Sequence, residues 1–178
     1  MKEECKVVFS EDQVVARIKE IAAEIDAEYR GETVYLLCVL KGSIYFTCEL
    51  ARHMKTPVKF GFMSVSSYGD RLTSSGAVTM NGDVDFNVAG KNVLIIEDII
   101  DSGRTISYIS KMIAKRDPAT WKICTLLDKP SRRAVDVKAD YVGFEIPDMF
   151  VVGYGLDYAQ RYRNLPYVAE LILTEDPE

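Results

Sequence analysis

The chain is poor in several residue types, and each shortage closes a class of function. Its single histidine, His53, excludes a metal site built from several imidazoles and leaves Ser-His-Asp chemistry dependent on one residue. The four cysteines, Cys5, Cys38, Cys48 and Cys124, form neither a C-x-x-C pair nor the dense framework of a small secreted domain, so reduced thiols are expected. The longest apolar run, Val34 to Leu40, has seven residues against the roughly 20 that a membrane helix needs. Met1-Lys2-Glu3-Glu4 opens no signal peptide, and a cytoplasmic protein without a membrane partner is expected. Positive charge is also short: 22 Lys and Arg stand against 27 Asp and Glu, a net charge of −5, and no basic run is longer than Arg132-Arg133. Such a surface repels a nucleic-acid backbone, so no nucleic-acid partner is expected and any anionic ligand must be held locally. Walker A spacing is missing, and Gly153-Tyr154-Gly155 is only a fragment of a dinucleotide-binding G-x-G-x-x-G.

What is present describes one globular unit. At roughly 150 residues per domain, 178 residues make a single domain, 1–178, and 48 % hydrophobic residues suffice for a core without disulfides or a structural metal. Internal repeats and Pro-rich linkers are lacking. Ser10 followed by Gln13 is a capping-box pattern, and Val14, Val15, Ile18, Ile21, Ala22 and Ile25 then recur at helical spacing until Gly31. Val34 to Leu40 reads as a strand buried on both faces, followed by a helix from Ser43 to Met54. The pairing recurs where Val93 to Ile96 leads through an acidic turn into a helix from Arg104 to Arg116, with a further strand from Trp121 to Leu127. Alternating strands and helices predict an α/β fold with a mainly parallel sheet. Val58 to Val65, Tyr141 to Phe144 and Phe150 to Val152 read as additional strands. Ser66 to Gly90 is rich in Ser, Gly, Thr, Asn and Asp and reads as a long loop followed by a weak hairpin. The last residues, Thr174 to Glu178, are expected to fray.

The chemistry is concentrated in Val93 to Thr105. A buried strand ends in two carboxylates, Glu97 and Asp98; a third, Asp101, follows, and Ser102-Gly103-Arg104-Thr105 then opens a helix. In open α/β sheets ligands bind beyond the carboxyl ends of the strands, and small residues at a helix start aim free N–H groups at an anion. Carboxylates beside such a phosphate cradle fit sugar hydroxyls, a cation or a transferable proton, which together describe a phosphorylated sugar with Mg²⁺. In isolation, a D-x-G-x-T segment reads equally well as loop acids and a helix cap.

Glu97-Asp98-Ile99-Ile100-Asp101-Ser102-Gly103-Arg104-Thr105 resembles the phosphoribosyl-pyrophosphate (PRPP) motif of type I phosphoribosyltransferases, specifically the hypoxanthine-guanine phosphoribosyltransferases of purine salvage. Leu40-Lys41-Gly42-Ser43, Ser66-Ser67-Tyr68-Gly69, Leu127-Asp128-Lys129-Pro130, Val142 to Asp148 and Val151 to Tyr158 match the same family in the same order, so the resemblance covers nearly the whole chain. It implies a central sheet flanked by helices, a small hood from the N- and C-terminal segments, and a lid loop at 66–77. It also implies transfer of a phosphoribosyl group from PRPP to N9 of a 6-oxopurine, and a homodimer or homotetramer.

By the same resemblance, Glu97 and Asp98 hold the ribose hydroxyls and, through water, Mg²⁺, Asp157 binds a second Mg²⁺ at the pyrophosphate, and Ser102 to Thr105 cradle the 5′-phosphate. Asp101 handles a proton near N7 of the purine. Lys41-Gly42 resembles a loop whose non-proline cis peptide faces pyrophosphate, a group that Ser67, Tyr68 and Arg163 also meet. Lys129 donates to the 6-oxo group, Phe150 stacks on the ring, and the Val151 backbone meets the exocyclic position. Met149 stands where many relatives carry Lys, which removes a charge from the rim of the base pocket. His53 has no motif partner and reads as a cap or surface residue. Two other classes fit less well: a nucleotide-sensing RNA binder on this fold needs a basic face, and a sugar-phosphate hydrolase needs D-x-D-x-T.

Overall fold

The computed structural model describes residues 2–67, 78–80 and 83–174. Of the expected lid, only its first residues, up to the backbone of Ser67, lie within that range; Tyr68 and the rest lie outside the described residues, as do 175–178. Helix α1 (Glu11–Tyr29) begins at Ser10 with the capping box in place: Gln13 N donates to Ser10 Oγ and Ser10 N donates to Gln13 Oε1. It ends one residue before Gly31, on Arg30 in the left-handed conformation, φ 48°. Its buried face is Val14, Ile18, Ile21, Ala22, Ile25 and Tyr29.

Six strands form the main sheet in the order β4-β3-β2-β5-β6-β7: β2 (Val34–Leu40), β3 (Val58–Ser67), β4 (Val78–Met80), β5 (Asn92–Ile100), β6 (Thr120–Asp128) and β7 (Tyr141–Glu145). Five run parallel and β4 returns antiparallel to β3. The expected hairpin is therefore closed by β3 itself, with the expected loop inside it rather than before it. Along β5 the side chains alternate: Val93 and Ile95 join one core cluster, Leu94 and Ile96 the other, and all four are fully buried. A strand packed on both faces needs such an unbroken apolar run. Helices α1 and α2 (Ile44–His53) cover one face, and α3 (Arg104–Ala114) covers the other through Ile106, Ile109 and Ile113.

β5 runs four residues beyond the expected Ile96, so Glu97 and Asp98 lie within the strand and not at its end. Continued pairing with β6 to Ile100–Asp128 holds them extended. The hood is a second sheet in the order β1-β9-β8, from β1 (Lys2–Phe9), β8 (Val151–Val152) and β9 (Val168–Thr174). β8 starts at Val151, leaving Phe150 just outside it. Phe9 at the end of β1 stacks on Phe144 of β7 with ring centroids 4.0 Å apart, joining hood to main sheet. Arg17 of α1 donates to the carbonyls of Val142 and Gly143, a second tie to β7.

α1 is also tied to the turn before β3. Both carboxylate oxygens of Asp26 accept from Lys55 N, at 3.0 and 2.9 Å, and Oδ1 also accepts from Thr56 N at 2.8 Å. Burial alone would raise its pKa, but these bonds outweigh it and hold the carboxyl below its ordinary value. A group depressed in this way stabilises the fold above its unfolded pKa and loses that effect as pH falls through the folded value. Asp26→Ala is expected to lower stability by about 1–2 kcal/mol at pH 7. In urea titrations the difference between variant and parent should shrink below roughly pH 4.

Candidate active site

The sheet order fixes where a ligand can sit. From β2 the chain crosses by α2 to β3 on one side, whereas from β5 it crosses by α3 to β6 on the other. β2 and β5 are therefore neighbours at the point where the winding reverses, the position at which α/β sheets open a crevice. Their ladder ends at Cys38–Ile96, and Glu97 is the next residue. Beyond this point lies a cleft of about 320 Å³ lined by Lys41, Gly42, Glu97, Asp98, Asp101, Ser102, Gly103, Thr105, Asp157 and Arg163. Four separate stretches of sequence thus meet in one place.

After β2, the Leu40–Lys41 peptide is cis, so the cis bond of this loop precedes Lys41. Ser43 does not cap α2; its hydroxyl donates back to Val39 O at 2.7 Å and holds the turn against β2. Gly42 has no room for a side chain, since a Cβ there would overlap the Asp98 carboxylate. Gly155, at φ 104°, faces the carbonyl of Gly42 just as closely. The two glycines let the β2 turn, the β5 carboxylates and the segment after β8 converge.

Glu97 is half-buried as a residue, yet its Oε2 is shut off from solvent and has no hydrogen-bond partner. Burial first, and then the neighbouring Asp98 charge, push its pKa well above the ordinary range. Asp98 is raised as well, chiefly by burial, although Ile99 N donates to its Oδ1 at 2.7 Å. Gly103, in the left-handed conformation at φ 78°, starts α3 without a side-chain cap of its own, and Arg104 N, the first helical amide, lies 3.5 Å from Ser102 Oγ. Arg104 begins the helix but does not line the cleft. Opposite, Asp157 and Arg163 pair at 2.7 Å, and Arg163 also donates to Gly155 O.

Lys129, Phe150 and Val151 lie beside the cleft rather than in it. Lys129 is buried at 6 % exposure; its backbone N donates to Ile100 O, and its Nζ lies 4.0 Å from Asp148 Oδ1. Phe150 is 53 % exposed, with the ring of Tyr158 edge-on at 5.8 Å. Val151 is buried and paired with β9. His53 meets Glu49 within the last turn of α2, away from the cleft, and all four cysteines are free.

Among the described residues no three acidic, cysteine or histidine side chains converge as the ligands of one metal ion. Mg²⁺ takes one or two carboxylates and otherwise keeps water and substrate phosphates. The orphaned oxygen of Glu97 and the carboxylates of Asp98 and Asp157 on the same cleft are hard donors of this type.

Motif reading missed two arginines. Arg132 Nε lies 3.2 Å from Asp101 Oδ1, and its Nη1 3.4 Å from Asp148 Oδ2. Arg133 bonds to the Asp128 carboxylate and to the carbonyls of Ile100 and Asp101. The available signal was Pro130, which starts the short 3₁₀ turn Pro130–Arg132 that delivers both.

Comparison with known proteins agrees with this geometry. Residues 8–159 match the model of the phosphoribosyl transferase domain. The chain is 51 % identical over 166 residues to the hypoxanthine-guanine phosphoribosyltransferase of Bacillus subtilis, covering 93 % of this chain and 92 % of that one. It is 46 % identical over 178 residues to the hypoxanthine phosphoribosyltransferase of Salmonella typhimurium, covering 99 % and 100 %. A crystal structure of a hypoxanthine-guanine phosphoribosyltransferase from Bacillus anthracis superimposes with a TM-score of 0.89 at 45 % identity, over 96 % of this chain and 100 % of that one. With a reversing parallel sheet, two carboxylates within β5 followed by the turn into α3, and relatives this close, the chain belongs to the phosphoribosyl transferase domain family and has the type I phosphoribosyltransferase fold.

Proposed function

We propose that this protein is a purine-salvage phosphoribosyltransferase that moves the 5-phosphoribosyl group of PRPP to N9 of hypoxanthine or guanine, giving IMP or GMP and pyrophosphate. The observation that carries the reading is the one cleft in which Lys41-Gly42, Glu97-Asp98, Asp101 to Gly103 with Thr105, and Asp157 with Arg163 meet, in a chain half identical to enzymes of that name. The whole chain, 1–178, acts as one domain of the cytoplasm; among the described residues no helix is long and apolar enough to cross a membrane.

In this reading the α3 amides and the hydroxyls of Ser102 and Thr105 take the 5′-phosphate, with Gly103 giving close approach and Arg104 at the rim. Glu97 and Asp98 accept from the ribose hydroxyls. Glu97 and Asp98 would hold one Mg²⁺ through water and Asp157 a second, and when bound these supply positive charge against the phosphates. Pyrophosphate rests on the Lys41-Gly42 turn and Arg163, with Ser67 and Tyr68 supplied by the lid. Lys129 donates to the 6-oxo group, a contact that an adenine amino group cannot accept. Phe150 stacks on the base, and the Val151 backbone faces the exocyclic position. As N9 attacks C1 and the bond to pyrophosphate breaks, Asp101 accepts or shares the proton at N7. An oligomer of two or four chains fits the exposed apolar groups Ile44 and Tyr45 on α2 and Phe60 and Phe62 on β3.

With PRPP and Mg²⁺, a spectrophotometric assay should register nucleotide from hypoxanthine and guanine and far less from adenine, and excess EDTA should abolish turnover. Full activity in EDTA, or adenine as the preferred base, would reject the reading. Asp101→Asn should lower the single-turnover rate by about 10² to 10⁴ with little change in PRPP binding, the usual loss of an acid-base group. Glu97 gives a third expectation. Because its folded pKa is raised, the ionised form opposes folding increasingly as pH rises from roughly 4.3 through the folded value. Glu97→Gln should therefore raise the melting temperature of the ligand-free protein at pH 8, with the gain fading toward pH 5, while weakening Mg²⁺-dependent PRPP binding.

A further inference from the structure

Two groups proposed to face neighbouring atoms of the purine sit on different strands. Asp101, addressed to N7, follows the end of β5; Lys129, addressed to the 6-oxo group, follows the end of β6. On a flat ring these two atoms have a fixed separation, so the two strand ends must be held at a matching distance. The ladder between β5 and β6 stops at Ile100–Asp128, one residue short of both side chains.

The guanidinium of Arg133 lies across that gap. Its Nη1 donates to Ile100 O at 3.1 Å and to Asp101 O at 2.7 Å, and its Nη2 donates to the carboxylate of Asp128. The Arg133 and Asp128 side chains are only 15 % and 11 % exposed, so the contacts are shielded from water, and a planar fork with fixed donors suits such a bridge. Two backbone bonds flank it: Lys129 N to Ile100 O at 2.9 Å, and Ala134 N to Ser102 O at 3.0 Å. The stem of Arg133, with Val137, also fills the space in front of Gly103, where a Cβ would have to displace it. Arg133 reaches both ends from one place because the 3₁₀ turn reverses the chain directly after Lys129.

We propose that Arg133 is a positioning residue for phosphoribosyl transfer, fixing the backbone of Asp101 against that of Lys129 so that both meet the same purine edge. It touches no substrate itself. The inference rests on the role proposed above for Asp101. Were Arg133 only the partner of a buried Asp128, its loss would weaken the fold without regard to whether Asp101 can act.

A double-mutant cycle separates the two cases. Arg133→Met, Arg133→Lys and Asp101→Asn are measured singly, and each Arg133 variant is combined with Asp101→Asn. The readouts are the single-turnover rate with hypoxanthine, the KM for PRPP and the melting temperature. Arg133→Met should lower the rate about 100-fold, the scale of a misplacement of roughly 1 Å, and leave the PRPP KM within about twofold. Arg133→Lys, which keeps the charge but not the fork, should recover part of the rate. In the Asp101→Asn background the same Arg133→Met change should cost less than about fivefold, because the group it positions is no longer there. A full 100-fold loss in both backgrounds, or an unchanged rate in the single variant, overturns the proposal. If Arg133→Met does not fold, Arg133→Lys and Asp128→Asn complete the cycle under the same criteria. If Asp101→Asn alone loses nothing, the role of Asp101 fails and this inference falls with it; coupling absent while Asp101→Asn is impaired rejects Arg133 alone.

Discussion

Two carboxylates in succession, Glu97 and Asp98, continue a strand whose four preceding side chains are fully buried, and desolvating them opposes folding. The surrounding structure is arranged to leave them a single outlet. β2 stops pairing with β5 one residue earlier, Gly42 makes room for the Asp98 carboxylate, and Gly155 lets the segment after β8 close over the turn. Glu97 and Asp98 both line the cleft that results, while Oε2 of Glu97 is shut off from solvent without a hydrogen-bond partner. Unfavourable burial of charge and the lining of the cleft are here the same feature, the one proposed above to take a polyhydroxylated ligand.

Much of the framework was legible because it obeys local rules. The Ser10 and Gln13 pair marked the start of α1, and the unbroken run Val93 to Ile96 announced a strand covered on both faces by helices. The acidic segment was misplaced by hydrophobic pattern alone, since Glu97 and Asp98 break the apolar run and yet remain in the strand through pairing with β6. β1 and β9 went unseen as strands: Lys2-Glu3-Glu4 has no apolar run, and their stability comes from each other, across almost the full chain.

The candidate site divides along the same line. Glu97, Asp98, Asp101 and the turn to Thr105 are contiguous and could be read as chemistry from their residue types. Lys41, Lys129, Phe150, Asp157 and Arg163 are scattered single residues that entered only through family resemblance. Neither route reached Arg133, because two of its three partners are backbone carbonyls more than thirty positions away, at separations of 32 and 33 residues, and a carbonyl leaves no trace in residue identity.

The hood has a consequence for the order in which the molecule is built. Thr174 bonds to the carbonyl of Lys2 across a separation of 172 residues, the end of an antiparallel ladder that runs back to Phe9 and Val168. Closing a loop of that length costs conformational entropy before any of its contacts form, so this non-local ladder gains from a main sheet that already holds its two ends close. The main sheet is joined by crossovers of a few tens of residues, and the hood is tied to it through the Phe9–Phe144 stack. β8, which carries Val151 next to Phe150, is held in the hood by β9. The Val151 side of the fold therefore depends on both ends of the chain, whereas Asp101 to Thr105 follow directly from β5 of the main sheet.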